Sequence, residues 1–205
     1  MYFNARSLLP KIDELRLICA SSRPDDVCVV ETWLCDEITD CEIAIPDFCV
    51  TRLDRNRHGG GVAFYVKSCL YSQVLLQPPF DLEFVLLSVA SFSSSYKVYT
   101  CWSFFKFFIV LLVHLQLLHF CLQDANVCSF SNFVLLGDFN VNVNNVSHPL
   151  LSNLYDLLDC FSLVQALVQV VPEPTHTSPT GTTSLIDLVL ISNSSMLSSC
   201  AVVPP

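Results

Sequence analysis

Apolar runs that end on an acidic or amide side chain recur along this chain, and that pattern constrains the fold more than any bulk property. Asp26-Val27-Cys28-Val29-Val30 is short and β-branched, follows the breaker Pro24-Asp25, and predicts a buried strand that delivers Glu31 at its end. Phe133 to Leu136 predicts a second strand, running into Gly137, which permits a sharp turn before Asp138-Phe139-Asn140. Leu185 to Ile191 predicts a third, with Asp187 inside it. Further strands are expected over Val62–Val66, after a polar stretch from Arg52 to His58 and the triplet Gly59-Gly60-Gly61, and over Leu82–Ala90. Leu8, Ile12, Leu15 and Cys19 recur at helical spacing, with Ser7 as candidate cap and Pro10 in the first turn. Leu150, Leu151, Leu154, Leu157 and Leu158 predict a helix over Pro149–Leu158. Strands and helices thus alternate, which argues for a layered α/β or α+β domain. At 205 residues the chain is long enough for one such domain, taken as 1–205.

Composition limits the partners. The formal net charge is −9, whereas a tight grip on nucleic acid needs Lys and Arg to neutralise phosphates. A metal-dependent nuclease is still compatible, because its site is itself a cluster of carboxylates. The 11 cysteines are odd in number and show no CxxC pair, which argues against a zinc site or a regular disulfide framework. Cys28, Cys69 and Cys160 lie among apolar residues and read as small core side chains of a reducing, intracellular compartment. The first six residues are too short and polar for a signal peptide.

Asn4, Glu31, the pair Asp138/Asn140 and Asp187 fall at strand ends or in tight loops. Phosphodiester hydrolysis needs such a set: oxygen ligands for a hard cation such as Mg²⁺, a carboxylate to handle a proton, and amide donors for the phosphate oxygens. Taken singly, each has a plainer explanation. Glu31 reads as an exposed carboxylate at a strand end, Asn4 as a frayed terminus, Asp138/Asn140 as a polar turn, and Asp187 as a turn partner.

Five motifs in order carry a resemblance. Gly137-Asp138-Phe139-Asn140 resembles the GDFN motif of the endonuclease/exonuclease/phosphatase superfamily. Asn4-Ala5-Arg6-Ser7-Leu8, Glu31-Thr32-Trp33-Leu34, the stretch from Asp54 through Gly59-Gly60-Gly61-Val62, and Ser184-Leu185-Ile186-Asp187-Leu188-Val189-Leu190 are similar to motifs of the endonuclease domain of non-LTR retrotransposons. The resemblance implies a layered sandwich of two packed mixed β-sheets flanked by helices, and a Mg²⁺- or Mn²⁺-dependent DNA endonuclease. It implies Glu31 as the main metal ligand, helped by Asn4. Asp138 would do the proton work, Asn140 would orient the phosphate, and Asp187 would brace a histidine. Weaker support makes Thr175 a contact to the substrate backbone, and Arg55, Arg57 and His58 contacts to phosphates; a solvated loop explains each of these three singly. The side chains of Glu31, Asp138, Asn140 and Asp187 are expected around one cation. DNA is the implied partner, weakly held; no obligate protein partner and no stable membrane association is expected.

Two departures qualify the resemblance. The family carries a final S-D-H strand, and the chain stops at Val202-Val203-Pro204-Pro205, so an incomplete sheet and impaired catalysis are expected. Loss of such a group costs about 10²–10⁴-fold in rate. Where the family has a Y-R-P-P-like strand, this chain has the Phe/Leu-rich run Cys101–Leu122. Three readings of that run stand: a core helix, a transmembrane helix of about 20 residues, or a stretch translated in a shifted frame. Lys106, His114, Gln116 and His119 weigh against the membrane. The shifted frame explains why both flanks fit while the middle does not. Besides an impaired nuclease, the sequence leaves open a membrane-associated or interaction protein using this run, and a small-substrate phosphoesterase.

Overall fold

Val27, Cys28, Val29 and Val30 are all fully buried, and the strand they form is central to everything around it. The computed structural model describes residues 1–76, 84–90, 97–103, 133–161, 164–165, 173–192, 194–196 and 198–202, in two compact units, Met1–Ser103 and Phe104–Pro205.

In the first unit, β1 (Tyr2–Asn4) runs parallel to β2 (Asp26–Val30), pairing Asn4 with Val30. A parallel pair needs a crossover, and α1 (Ile12–Ser22) supplies it, burying Ile12, Leu15 and Cys19 along one stripe. On its other edge β2 pairs antiparallel with β4 (Val62–Lys67), and β4 with β3 (Phe48–Leu53). The order is β1-β2-β4-β3. Alternation splits this mixed sheet into two buried faces. Val27, Val29, Ala63 and Tyr65 pack with the stripe of α1 and with Leu34, Ile43 and Ile45. Cys28, Val62, Phe64 and Val66 alternate with them and are buried as well. The antiparallel strands β5 (Tyr71–Leu76), β6 (Phe84–Ala90) and β7 (Lys97–Ser103) pair in sequence, and β6 and β7 pack against β2 and β4. Burial on both faces explains why β2 and β4 are continuous apolar runs rather than alternating ones.

In the second unit, β8 (Phe133–Asp138) is buried throughout and pairs antiparallel with β12 (Asp187–Ile191), whose other edge pairs with β9 (Val164–Gln165). Between them come α2 (Leu151–Phe161) and a hairpin of β10 (His176–Thr177) and β11 (Thr183–Ser184). The fold class is therefore a mixed α/β one with packed sheets and few helices.

Several expectations need correction. Pro10 sits in a 3-10 turn, Leu9–Lys11, and the α-helix begins only at Ile12, with no side-chain cap from Ser7. The helix runs past Cys19 to Ser22 and stops at Arg23, whose φ of 49° takes it out of the helical region. Arg52 and Leu53 belong to β3 rather than to the loop. The second helix starts at Leu151, not Pro149, because His148 and Leu150 form the preceding turn. Cys28 is disulfide-bonded rather than a free core thiol, and Cys69 is exposed rather than buried. Cys101, Trp102 and Ser103, the start of the Phe/Leu-rich run, lie in β7; the rest of that run and the side chain of Cys160 lie outside the described residues. No described helix is long and apolar enough to cross a membrane.

Candidate active site

Three sequence motifs of the first unit meet at the C-terminal end of β2. Beyond Val30 the chain enters Glu31-Thr32-Trp33, with Glu31 and Trp33 both at φ 53°. A non-glycine residue in that region costs about 1–2 kcal/mol, so the surroundings must hold it. They do so through backbone bonds on both sides. Ser7 N–H donates to Glu31 O at 2.9 Å and Leu8 N–H to Thr32 O at 2.8 Å. Thr32 N–H donates to Gly61 O at 3.2 Å and Trp33 N–H to Gly60 O at 3.0 Å.

The same clamp orients the carboxylate. Glu31 Oε2 accepts from Trp33 Nε1–H at 2.8 Å and from Gly60 N–H at 3.1 Å. Gly60 and Gly61 have φ of 74° and 82°. A Cβ on Gly61 would be driven into the Oγ1 of the fully buried Thr32 and would lie 3.4 Å from Leu53 O. Glycine is therefore required at 61 by both dihedral and space. Asn4, half-buried at the end of β1, is one register step from this turn, since Ala5 N–H already donates to Val30 O at 2.9 Å.

In the second unit, β8 and β12 place Asp138 directly opposite Asp187. Phe139 N–H donates to Ile186 O at 2.8 Å, so the neighbouring pair carries the inter-strand bond. Asp138 and Asp187 therefore form a non-hydrogen-bonded pair, the kind with Cα atoms about 4.5 Å apart and side chains closest together. Both are nearly buried, at 8% and 7% exposure. Like charges directly opposite are unfavourable, so this position favours a cation or a proton-donating group beside it. Asn140 turns back at φ 50°, a region Asn tolerates, and its N–H donates to Asp138 Oδ1 at 3.0 Å. The fully buried Phe139 anchors that turn from below.

Thr175 belongs to the same cluster. Its Oγ1 accepts from Ile186 N–H at 3.3 Å and Asp187 N–H at 3.1 Å, and its own N–H donates to Ser184 O at 3.0 Å. These bonds take the place of ladder bonds at the entry to β12, which is why that strand starts at Asp187 rather than Leu185. Asn142 Oδ1 similarly accepts from Leu185 N–H at 3.2 Å. Neither anchoring role was legible in the sequence, because each joins segments far apart in the chain.

The basic loop is laid out differently. Arg55, Arg57 and His58 are all exposed. Arg57 donates to Cys35 Sγ at 3.1 Å and pairs with Glu37 at 2.5 Å, and these contacts push its pKa further up, the thiol contact most. His58 N–H closes an Asx turn on Asn56 at 2.9 Å.

The candidate side chains present oxygen donors within each unit: Asn4 and Glu31 in the first, and Asp138, Asn140 and Asp187 in the second. That chemistry fits a hard divalent cation rather than zinc. Among the described residues no three His, Cys, Asp or Glu side chains come together closely enough to hold a metal ion. Mg²⁺, which keeps several waters, needs only one or two carboxylates.

Comparison with known proteins bears on the family and the fold. The family model described as "Endonuclease/Exonuclease/phosphatase family" matches residues 1–205. No curated protein is significantly similar in sequence. Among solved structures, a 3'-5' exonuclease from Neisseria meningitidis superposes with a TM-score of 0.71 at 16% identity, covering 93% of this chain and 85% of its own. An AP endonuclease from Leishmania major gives 0.69 at 13% identity, covering 93% and 78%. A mannosyl-6-phosphatase from Bacteroides thetaiotaomicron gives 0.65 at 13% identity, covering 94% and 84%. At such identities the likeness establishes the fold and leaves the substrate open.

Proposed function

The chain belongs to the endonuclease/exonuclease/phosphatase family, and from that premise we propose that residues 1–205 form a Mg²⁺- or Mn²⁺-dependent DNA endonuclease domain of non-LTR retrotransposon descent, with impaired activity. The observation that carries the chemistry is the register that sets Asp138 against Asp187, with Asn140 turned back onto Asp138. The descent rests on the five motifs in order between Asn4 and Leu190.

Glu31 and Asn4 are the residues that would hold the cation, and the chemistry such an ion would supply there is polarisation of a phosphoryl oxygen and activation of water. Asp138 takes or returns a proton. The Asn140 side-chain amide donates to a non-bridging phosphate oxygen. Asp187 is the acceptor that orients a proton-donating partner. Thr175 holds the Asp187 backbone and borders the substrate strand. Arg55 and Arg57 lie on an exposed loop where a phosphate backbone can reach them. Impairment follows from the Phe/Leu-rich sequence that replaces the Y-R-P-P-like strand. The charge of −9 makes the grip on DNA weak, and with few phosphates neutralised its salt dependence is shallow.

Nicking of supercoiled plasmid carrying abasic sites at low salt, run beside the Leishmania AP endonuclease, tests both parts. The expected rate is at least about 10²-fold lower than that enzyme's, needs Mg²⁺ or Mn²⁺, and vanishes in Glu31→Gln and Asp138→Asn. Nicking that persists in those variants, or without a divalent cation, would overturn the site. A rate equal to the reference enzyme's would overturn the impairment. A second reading, a phosphoesterase on a small phosphorylated substrate, draws on the acidic charge; faster turnover of p-nitrophenyl phosphate than of plasmid would favour it.

A further inference from the structure

The geometry points to Trp33 as a positioning residue for the carboxylate of Glu31: its indole N–H and the backbone N–H of Gly60 grip the same oxygen and set the plane that the carboxylate presents to a divalent cation. This rests on the reading that Glu31 is a metal ligand.

The last side-chain bond of a glutamate rotates in a broad, roughly two-fold well, so an unrestrained Glu31 would offer its oxygens in many directions. Two donors at 2.8 and 3.1 Å on Oε2 remove that freedom. The donors come from different places. Trp33 lies two residues along the chain and is brought back by the pair of residues at φ 53°. Gly60 comes from the loop before β4, and its carbonyl in turn accepts the Trp33 backbone N–H at 3.0 Å. Trp33 and Gly60 therefore hold each other as well as Glu31. Tryptophan suits this place for a stated reason: it joins a large apolar body to a single donor. Phe would fill the same half-buried space without the N–H. Were Trp33 only packing, Phe would serve as well.

The test is Mn²⁺ and Mg²⁺ binding by isothermal titration to the full chain, compared among wild type, Trp33→Phe and Glu31→Gln. Removing a partner of a ligand typically weakens metal binding about 10–100-fold, and that loss is expected in Trp33→Phe with an unchanged circular dichroism spectrum. A second measurement does not depend on that variant folding. In wild-type protein carrying 5-fluorotryptophan, one of the two tryptophan ¹⁹F resonances should move as Mg²⁺ saturates, and neither should move in Glu31→Gln. If Mg²⁺ binds and neither resonance moves, or if a folded Trp33→Phe binds within about twofold of wild type, the positioning role is overturned. If Glu31→Gln binds the cations as wild type does, the failure lies instead in the assignment of Glu31 as ligand.

Discussion

Gly61→Ala should be far more damaging than its chemistry suggests, and the structure allows the loss to be divided. Gly61 and Gly181 have the same φ, 82°. An alanine at either position pays for that dihedral, about 1–2 kcal/mol. At Gly181 a Cβ meets nothing within 4 Å among the described residues, so the cost ends there. At Gly61 the Cβ enters the space of Thr32 Oγ1 and approaches Leu53 O at 3.4 Å. Thr32 is fully buried and β-branched, so it has little freedom to swing aside. Forced overpacking of that kind adds about 1–3 kcal/mol. The expected totals are about 2–5 kcal/mol for Gly61→Ala and about 1–2 for Gly181→Ala. Urea unfolding followed by circular dichroism and tryptophan emission measures both. The clash has a partner that can be removed: among the described residues Thr32 Oγ1 is buried without a hydrogen-bond partner, so Thr32→Ala loses little polar stabilisation and opens the space. The double variant should recover about 1 kcal/mol or more relative to the sum of the single ones. Equal losses at 61 and 181, with no coupling to Thr32, would refute the account of this turn.

Three further outcomes follow from the second unit. Asp187→Asn should lower any nicking rate about 10²-fold or more with an unchanged circular dichroism spectrum; plasmid assays read the loss. Thr175→Val should destabilise by about 1–3 kcal/mol by leaving the N–H groups of Ile186 and Asp187 without their acceptor, and Thr175→Ser should restore most of it in urea titrations. His148 should make stability fall on acidification. Burial lowers its pKa, and its Nδ1 accepts from Leu150 N–H at 3.3 Å. Between the lowered native value and the ordinary value of 6.5, the unfolded chain binds the proton and the native chain does not. Stability from this group is therefore present above pH 6.5 and is lost as pH falls through the native value; His148→Asn, followed by unfolding midpoints across that range, should flatten the slope.

The strands that could be read from residues alone were those buried at nearly every position: β8 throughout, β2 but for Asp26, β4 but for Lys67 and β12 but for Val189. β2, β4 and β8 are continuous apolar runs, and helix α1 declares itself by Ile12, Leu15 and Cys19 on one stripe. The same local logic put Glu31 and Asp138 at strand ends, because a polar residue closing an apolar run marks where the chain reaches a surface or a site. β3 leaves no such mark in the sequence because its residues are only partly buried and do not alternate, and β1 because three residues are too few for a period. What no local pattern holds is register. The meeting of Trp33 and Gly60 on one oxygen of Glu31, the facing of Asp138 and Asp187, and the bond from Thr175 to the start of β12 each join segments distant along the chain. Such contacts are settled only when whole strands align to bury both faces, since a slip of one residue would turn every side chain to the wrong side.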